Sequence, residues 1–145
     1  MDKIYQITYR STAQNGISRK EISALLDIAK ARNPELGVTG CLVFHKGEFI
    51  QIIEGVKKNV FDLYHKIEKD MRHKNVSFIW EGSCAERVFP DWNMAFHETN
   101  VTSEGFRQFE KNLKFLSEFS VSPTAATGLF WHSVRKLVSN DRLAI

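Results

Sequence analysis

Apolar and polar positions along the chain follow two rhythms. Over residues 3–10, KIYQITYR, the period is two: Tyr5, Ile7 and Tyr9 share one face, which predicts a strand. After Asn15-Gly16 the period lengthens. Ser18 and Glu21 form an S-x-x-E capping box, and Ile22, Leu25, Leu26 and Ala29 follow at i, i+3, i+4 and i+7. The spacing predicts an amphipathic helix that stops at Asn33, because Pro34 disfavours helical geometry in the residue before it, with Gly37 and Gly40 in a loop beyond. CLVFH (41–45) and EFIQII (48–53) read as strands joined by Lys46-Gly47 in a tight hairpin, and Gly55 ends the second. Val60, Leu63, Tyr64, Ile67 and Met71 predict a second helix from about 57 to 72. Two more strand-like segments, VSFIWEGSC and, past Pro90, DWNMAFH, complete the order βαββαββ.

That order predicts an α+β, ferredoxin-like fold: an antiparallel or mixed sheet with both helices on one face. ETNVTS (98–103) reads as a linker. Phe106, Phe109, Leu113 and Leu116 have helical spacing, and SVSPTAATG separates them from a last helix over about 129–138. The expectation is therefore a domain over 1–97 and a helical extension over 98–145. Phe106, Phe109, Phe115 and Phe119 give that extension an apolar side to pack on the open sheet face, on another subunit, or on both.

One position breaks the apolar pattern. In GEFIQIIEG (47–55), Phe49, Gln51 and Ile53 point one way and Ile50 and Ile52 the other, so an amide stands among large apolar neighbours. A buried amide left unpaired costs about 1–3 kcal/mol, so something polar must meet it. Tyr9, on the apolar face of the first strand, is the candidate, since a ferredoxin-like order makes the first and third strands neighbours. Two readings stand side by side: a buried Tyr–Gln pair that satisfies itself, and a pair that faces a polar aromatic ligand held between the two helices.

Composition narrows the field. A chain of 145 residues, 43% hydrophobic, with a net charge of +3 spread along its length, can bury a core and carries no basic block for nucleic acid. No apolar run reaches the roughly 18–20 residues of a membrane span, and MDKIYQITYR has no signal-peptide core, so the expected setting is cytoplasmic. Cys41 and Cys84 lie in apolar strand-like segments, the setting of buried thiols in a reducing compartment. The histidines lack metal-ligand spacing, and no Walker, G-x-G-x-x-G or G-x-S-x-G motif occurs.

Seven short pieces then occur in a telling order: Tyr9-Arg10-Ser11, Ala31-Arg32-Asn33, Val38-Thr39-Gly40, Phe49 through Gly55, Asp70-Met71-Arg72-His73, Arg87-Val88-Phe89 and Trp92-Asn93-Met94. None is specific alone. Together, over residues 3–97, they resemble the BLUF domains, flavin-binding blue-light sensors. The resemblance implies a flavin between the two helices, FAD in most members, with FMN or riboflavin as alternatives. Carried over, Gln51 bridges Tyr9 and the flavin's polar edge, Asn33 bonds its carbonyl region, and Asp70, Arg72 and His73 stand by the ribityl and phosphate end. The plain alternative for those three is a solvated helix end with cations at the negative dipole terminus. Ile22, Leu25, Ala29, Val60 and Ile67 are packing residues, some of them touching the ring.

The resemblance implies that Tyr9 is the electron and proton donor to the excited flavin, and that Gln51 is left in a different orientation or tautomer when both return. Trp92 and Met94, alternating on one face of the fifth strand, are the residues expected to relay the change, although a buried tryptophan is also ordinary core. Two departures from the family pattern are visible: Arg32, where some relatives carry histidine or asparagine, and Ile53 in place of the leucine common before Glu54. The 48 residues after position 97 are too few for a cyclase or phosphodiesterase module. The expectation is therefore a non-enzymatic photosensor, a homo-oligomer that signals to a separate protein and engages neither nucleic acid nor membrane. Competing readings are a flavin-dependent redox enzyme and a ferredoxin-like module that binds RNA or protein.

Overall fold

The computed structural model describes residues 3–99, 111 and 123–143. The alternating N-terminal pattern forms β1 (Ile4–Ala13), and the turn after it contains Gly16 at φ 74°. The capping box is present: Glu21 N donates to Ser18 Oγ at 3.1 Å and Ser18 N donates to Glu21 Oε1 at 3.3 Å, opening α1 (Arg19–Leu36). This helix runs past the predicted stop at Asn33, with Pro34 inside its last turn. A proline there removes only one N–H. The turn is closed by Gly37 at φ 64°, with Gly37 N donating to Pro34 O and Val38 N to Asn33 O, a left-handed cap that satisfies two of the last-turn carbonyls.

β2 (Thr39–His45) and β3 (Glu48–Gly55) form the expected hairpin, its two-residue turn made by Lys46 at φ 48° and Gly47 at φ 77°. Gly40 lies in β2 rather than in a loop, because a Cβ there would sit 2.1 Å from Ile52 O, and the strands pair only with that carbon absent. α2 (Lys57–Glu68) ends a turn earlier than predicted. Asp70 Oδ1 accepts the main-chain N–H of Arg72 at 2.9 Å, a local bond that competes with helix and leaves Met71 89% exposed. β4 (His73–Cys84) follows, with Cys41 buried and Cys84 only partly so.

The fifth strand is shorter than predicted: β5 spans Ala95–Glu98, and Trp92 to Met94 lie in the turn before it. That turn is fixed elsewhere, as Trp92 O accepts from Gly40 N at 3.2 Å. Glu98, expected in the linker, ends β5. The last helix, α3 (Pro123–Leu143), is longer than predicted at both ends, and Pro123 serves as a helix start rather than a separator. The predicted helix around Phe106 to Leu116, and Phe115 and Phe119 with it, falls outside the described residues apart from position 111.

The sheet has the order β4-β1-β3-β2-β5, antiparallel except for the β2–β5 pair. One face carries Tyr5, Ile7, Tyr9, Phe49 and Ile53 against Ile22 and Ala29 of α1 and Val60, Leu63 and Tyr64 of α2. On the other, Cys41, Val43, Ile50 and Ile52 meet Phe130, Trp131, Val134 and Val138 of α3. β1 and β3 are therefore buried on both faces. Their polar side chains must find partners inside the protein: Trp131 Nε1 donates to Thr8 Oγ1 at 3.0 Å across the second face.

Candidate functional site

The β1–β3 register sets Tyr9 directly opposite Gln51. The Tyr9 hydroxyl donates to Gln51 Oε1, and Gln51 Nε2 donates to Met94 Sδ at 3.4 Å. Tyr9 is 2% exposed, with Tyr64 and His73 edge-on at 5.6 and 6.3 Å. Burial, with the neighbouring Tyr64 second, pushes its pKa far above the ordinary phenol range, so the proton stays on the oxygen. Gln51 is 6% exposed, and of its two N–H groups one has a weak sulfur acceptor and the other none among the described residues.

Above this pair opens a cleft of about 80 Å³. Tyr9, Leu42, Phe49, Gln51 and Met94 form the floor; Leu25, Leu26, Ile28, Ala29 and Arg32 of α1 form one wall. Ile67 at the end of α2 and Asp70, Arg72 and His73 beyond it form the other. Helical spacing sets Leu25, Ala29 and Arg32 on one side of α1, a periodicity that could have marked Arg32 as a site residue. Burial lowers the Arg32 pKa from its ordinary value, and Nε donates to Asn33 Oδ1 at 3.2 Å; no carboxylate among the described residues pairs with it.

The three groups at the far wall divide their work. Asp70 grips the Arg72 guanidinium, Nε to Oδ1 at 2.9 Å and Nη2 to Oδ2 at 2.5 Å; those hydrogen bonds hold the Asp70 carboxyl below its ordinary pKa and Arg72 above its own. Both His73 nitrogens are occupied: Nε2 donates to Ile67 O at 2.7 Å and Nδ1 accepts from Ser11 Oγ at 2.8 Å. Asp70 thus aims Arg72, and His73 ties the wall to β1. Asn33 is fully buried, its Nδ2 donating to Asn93 O at 2.8 Å, and it does not line the cleft. Ile22 and Val60 belong to the same core behind the lining. Met94 and Trp92, expected on one face, part company: Met94 joins the Tyr9 core while Trp92 packs on the α3 side near Phe89, because they precede β5 and do not alternate as strand residues.

Glu54 is the feature whose part was not foreseen. Fully buried, it accepts from Gln6 Nε2 and Val88 N at 2.9 Å, Phe89 N at 2.7 Å and Thr39 Oγ1 at 3.2 Å. It pins the 88–89 segment that leads to Met94. Only the tertiary return of that segment to β3 makes this visible.

A β1–β3 phenol–amide pair beneath a cleft between two helices is the arrangement expected of a flavin-based light sensor, and comparison agrees. The BLUF family model, sensors of blue-light using FAD, matches residues 4–95. A photoactivated adenylate cyclase subunit beta from Euglena longa is 34% identical over 120 residues, covering 82% of this chain and 14% of its own length. Among solved structures, a bacterial light-regulated adenylyl cyclase is 32% identical with TM-score 0.69, over 76% of this chain and 32% of its own. BlrB, a BLUF protein in its dark state, is 25% identical with TM-score 0.75, over 94% and 98%. The chain belongs to the BLUF family, whose cofactor is FAD. The lining suits that group: apolar side chains for a flat ring system, with the second Gln51 N–H, Arg32 and Arg72 as donors for carbonyl and phosphate oxygens.

Proposed function

We propose that the chain works as a blue-light switch in which Tyr9 and Gln51 exchange hydrogen-bonding states, and that residues 98–145 serve as its cap and output segment. The observation that carries this reading is the buried Tyr9–Gln51–Met94 chain of contacts, in which the amide is anchored by one strong and one weak partner. Light makes the bound flavin a strong one-electron oxidant. Tyr9 is the donor on the floor of the cleft, and an electron leaving its phenol releases the Oη proton along the existing hydrogen bond to Gln51 Oε1. An amide protonated on oxygen would shed a proton from nitrogen to the cofactor that took the electron, and could then turn about its terminal bond. When electron and proton return to Tyr9, Gln51 is left with its oxygen and nitrogen interchanged or as the other tautomer.

Met94 registers the difference. In the described state its sulfur accepts from Nε2; facing an oxygen instead, it meets lone pair against lone pair and the contact is lost. Met94 adjoins Ala95, the first residue of β5, so the change reaches that strand and the Trp92 turn. Asn33 acts on the same turn through Asn93 O. Arg32 and Arg72 hold the carbonyl and phosphate end, and Ile22, Leu25, Ala29, Val60 and Ile67 give the apolar walls and their backing. No net reaction is performed; the output is read by a separate protein contacting a homo-oligomer of this chain.

The test is the visible absorption spectrum of purified protein kept dark and then lit with blue light. A flavin spectrum that shifts slightly to the red without bleaching and recovers in darkness is expected. Bleaching would point to flavin reduction and a redox enzyme, and a colourless protein that refuses FAD would leave Tyr9–Gln51 as a self-satisfied buried pair.

A further inference from the structure

The charges lining the cleft do not balance. Its described lining holds two guanidiniums, Arg32 and Arg72, and one acid, Asp70, and both oxygens of that acid are already committed to Arg72. Arg32 is left over. Burial comes first in lowering its pKa, and the like charge of Arg72 acts in the same sense, so the wall of α1 carries a cation that an anion in the cleft would relieve.

The side chain is also aimed. Asn33 Nδ2 is fixed on Asn93 O at 2.8 Å and Asn33 Oδ1 accepts from Arg32 Nε at 3.2 Å, which holds the root of the guanidinium and leaves both Nη groups without a partner among the described residues. Its charge reaches the floor of the cleft. Burial and then Tyr64 raise the Tyr9 pKa, and Arg32 opposes them, so negative charge above the Tyr9–Gln51 pair is stabilised from this wall.

Negative charge arrives there in the reaction proposed above. Tyr9 is oxidised by one electron and its proton passes to Gln51 Oε1, while the acceptor, reduced by one electron, holds the charge until a proton follows. We propose that Arg32 is the counter-charge of the flavin ring, and that its fixed positive charge raises the reduction potential of that ring and so sets how readily the Tyr9 electron is accepted. The inference rests on the flavin reading and adds which residue tunes it. Arg72, neutralised by Asp70, leaves that part to Arg32.

The test is a reductive titration in darkness, against a reference dye, of the full chain and of Arg32→Gln and Arg32→Lys, each loaded with FAD and separately with riboflavin. Glutamine and lysine are good helix formers, so α1 keeps its shape. A fully reduced flavin ring is an anion at neutral pH. Arg32→Gln is expected to weaken binding of the reduced ring relative to the oxidised one at least about tenfold, which lowers the midpoint potential by about 30 mV for a two-electron couple. Arg32→Lys keeps the charge and should keep most of the potential, and the drop in Arg32→Gln should be the same with riboflavin as with FAD. An unchanged potential in Arg32→Gln, an equal drop in Arg32→Lys, or a drop seen with FAD alone, which would assign the charge to the phosphates, would overturn the proposal. A red shift on illumination with a potential indifferent to Arg32 sinks this inference alone; the expected potentials without a red shift sink the switch alone.

Discussion

Gln51 and Tyr9 show how one pair of side chains can be both core and switch. Tyr9→Phe removes the phenol oxygen and leaves Gln51 Oε1 with one buried partner fewer, a cost of about 1–2 kcal/mol. The expected outcome is retained flavin with no reversible red shift, read by absorbance before and after blue light. Gln51→Leu keeps the shape and removes the amide, and the same loss is expected. A normal photocycle in either variant would refute its role. Because burial keeps the Tyr9 proton in place, its ionisation should not appear in the photoresponse between about pH 7 and 10, the ordinary phenol value.

Asp70 makes a second prediction at this scale. Its pKa is depressed by the hydrogen bonds from Arg72, with burial opposing, so its stabilising effect is fully present above the unfolded carboxylate value of about 3.9 and is lost as pH falls through the lower folded value. Flavin retention by equilibrium dialysis should be flat down to about pH 5 and drop only below about 4. In Asp70→Asn the acid step should shrink and retention at neutral pH should weaken, because Arg72 is no longer aimed.

At the scale of elements, the close contacts are between strands and between turns. Gly40→Ala places a carbon against the main chain of Ile52, where nothing flexible can yield, and loses about 2–3 kcal/mol or more by denaturant titration. Asn33 joins the last turn of α1 to the segment before β5 through Asn93 O. Asn33→Ala should loosen both and weaken flavin retention severalfold by titration; unchanged affinity would restrict Asn33 to a structural tie. The α1 stop was misread because Pro34 forbids helix only in isolation. The capped Gly37 turn and the buried Asn33 amide outweigh its local preference. The α2 stop was misread because Met71 has the right spacing, and only the Asp70–Arg72 bond shows the helix already ended.

For the whole molecule, the deciding feature is that both sheet faces are covered. Trp131 is 1% exposed and its indole satisfies Thr8, itself fully buried, so α3 belongs to the folded unit. Trp131→Phe keeps most of the packing and strands the Thr8 hydroxyl, an expected loss of about 1–2 kcal/mol. Hydrogen exchange along α3 should quicken while β2–β3 amides change little; uniform destabilisation would mean that α3 does not hold on through this bond. No described helix is long and apolar enough to cross a membrane.

The order of elements, the hairpin and the capping box were legible in the sequence, because each depends on local periodicity or on a motif spanning a few residues, and the pairing of Tyr9 with Gln51 followed from the ferredoxin-like order that makes β1 and β3 neighbours. The inward side of β3 followed in the same way, from a period of two that holds wherever strands pair. What the tertiary structure decided was everything set by distant chain returning to the sheet. The divergence of Met94 and Trp92, the bonds that Glu54 takes from Gln6, Val88 and Phe89, and the bond between His73 and Ser11 all rest on contacts between residues dozens of positions apart. Such contacts leave no periodic trace, since their energy depends on where a turn or helix lands and not on the residues beside it.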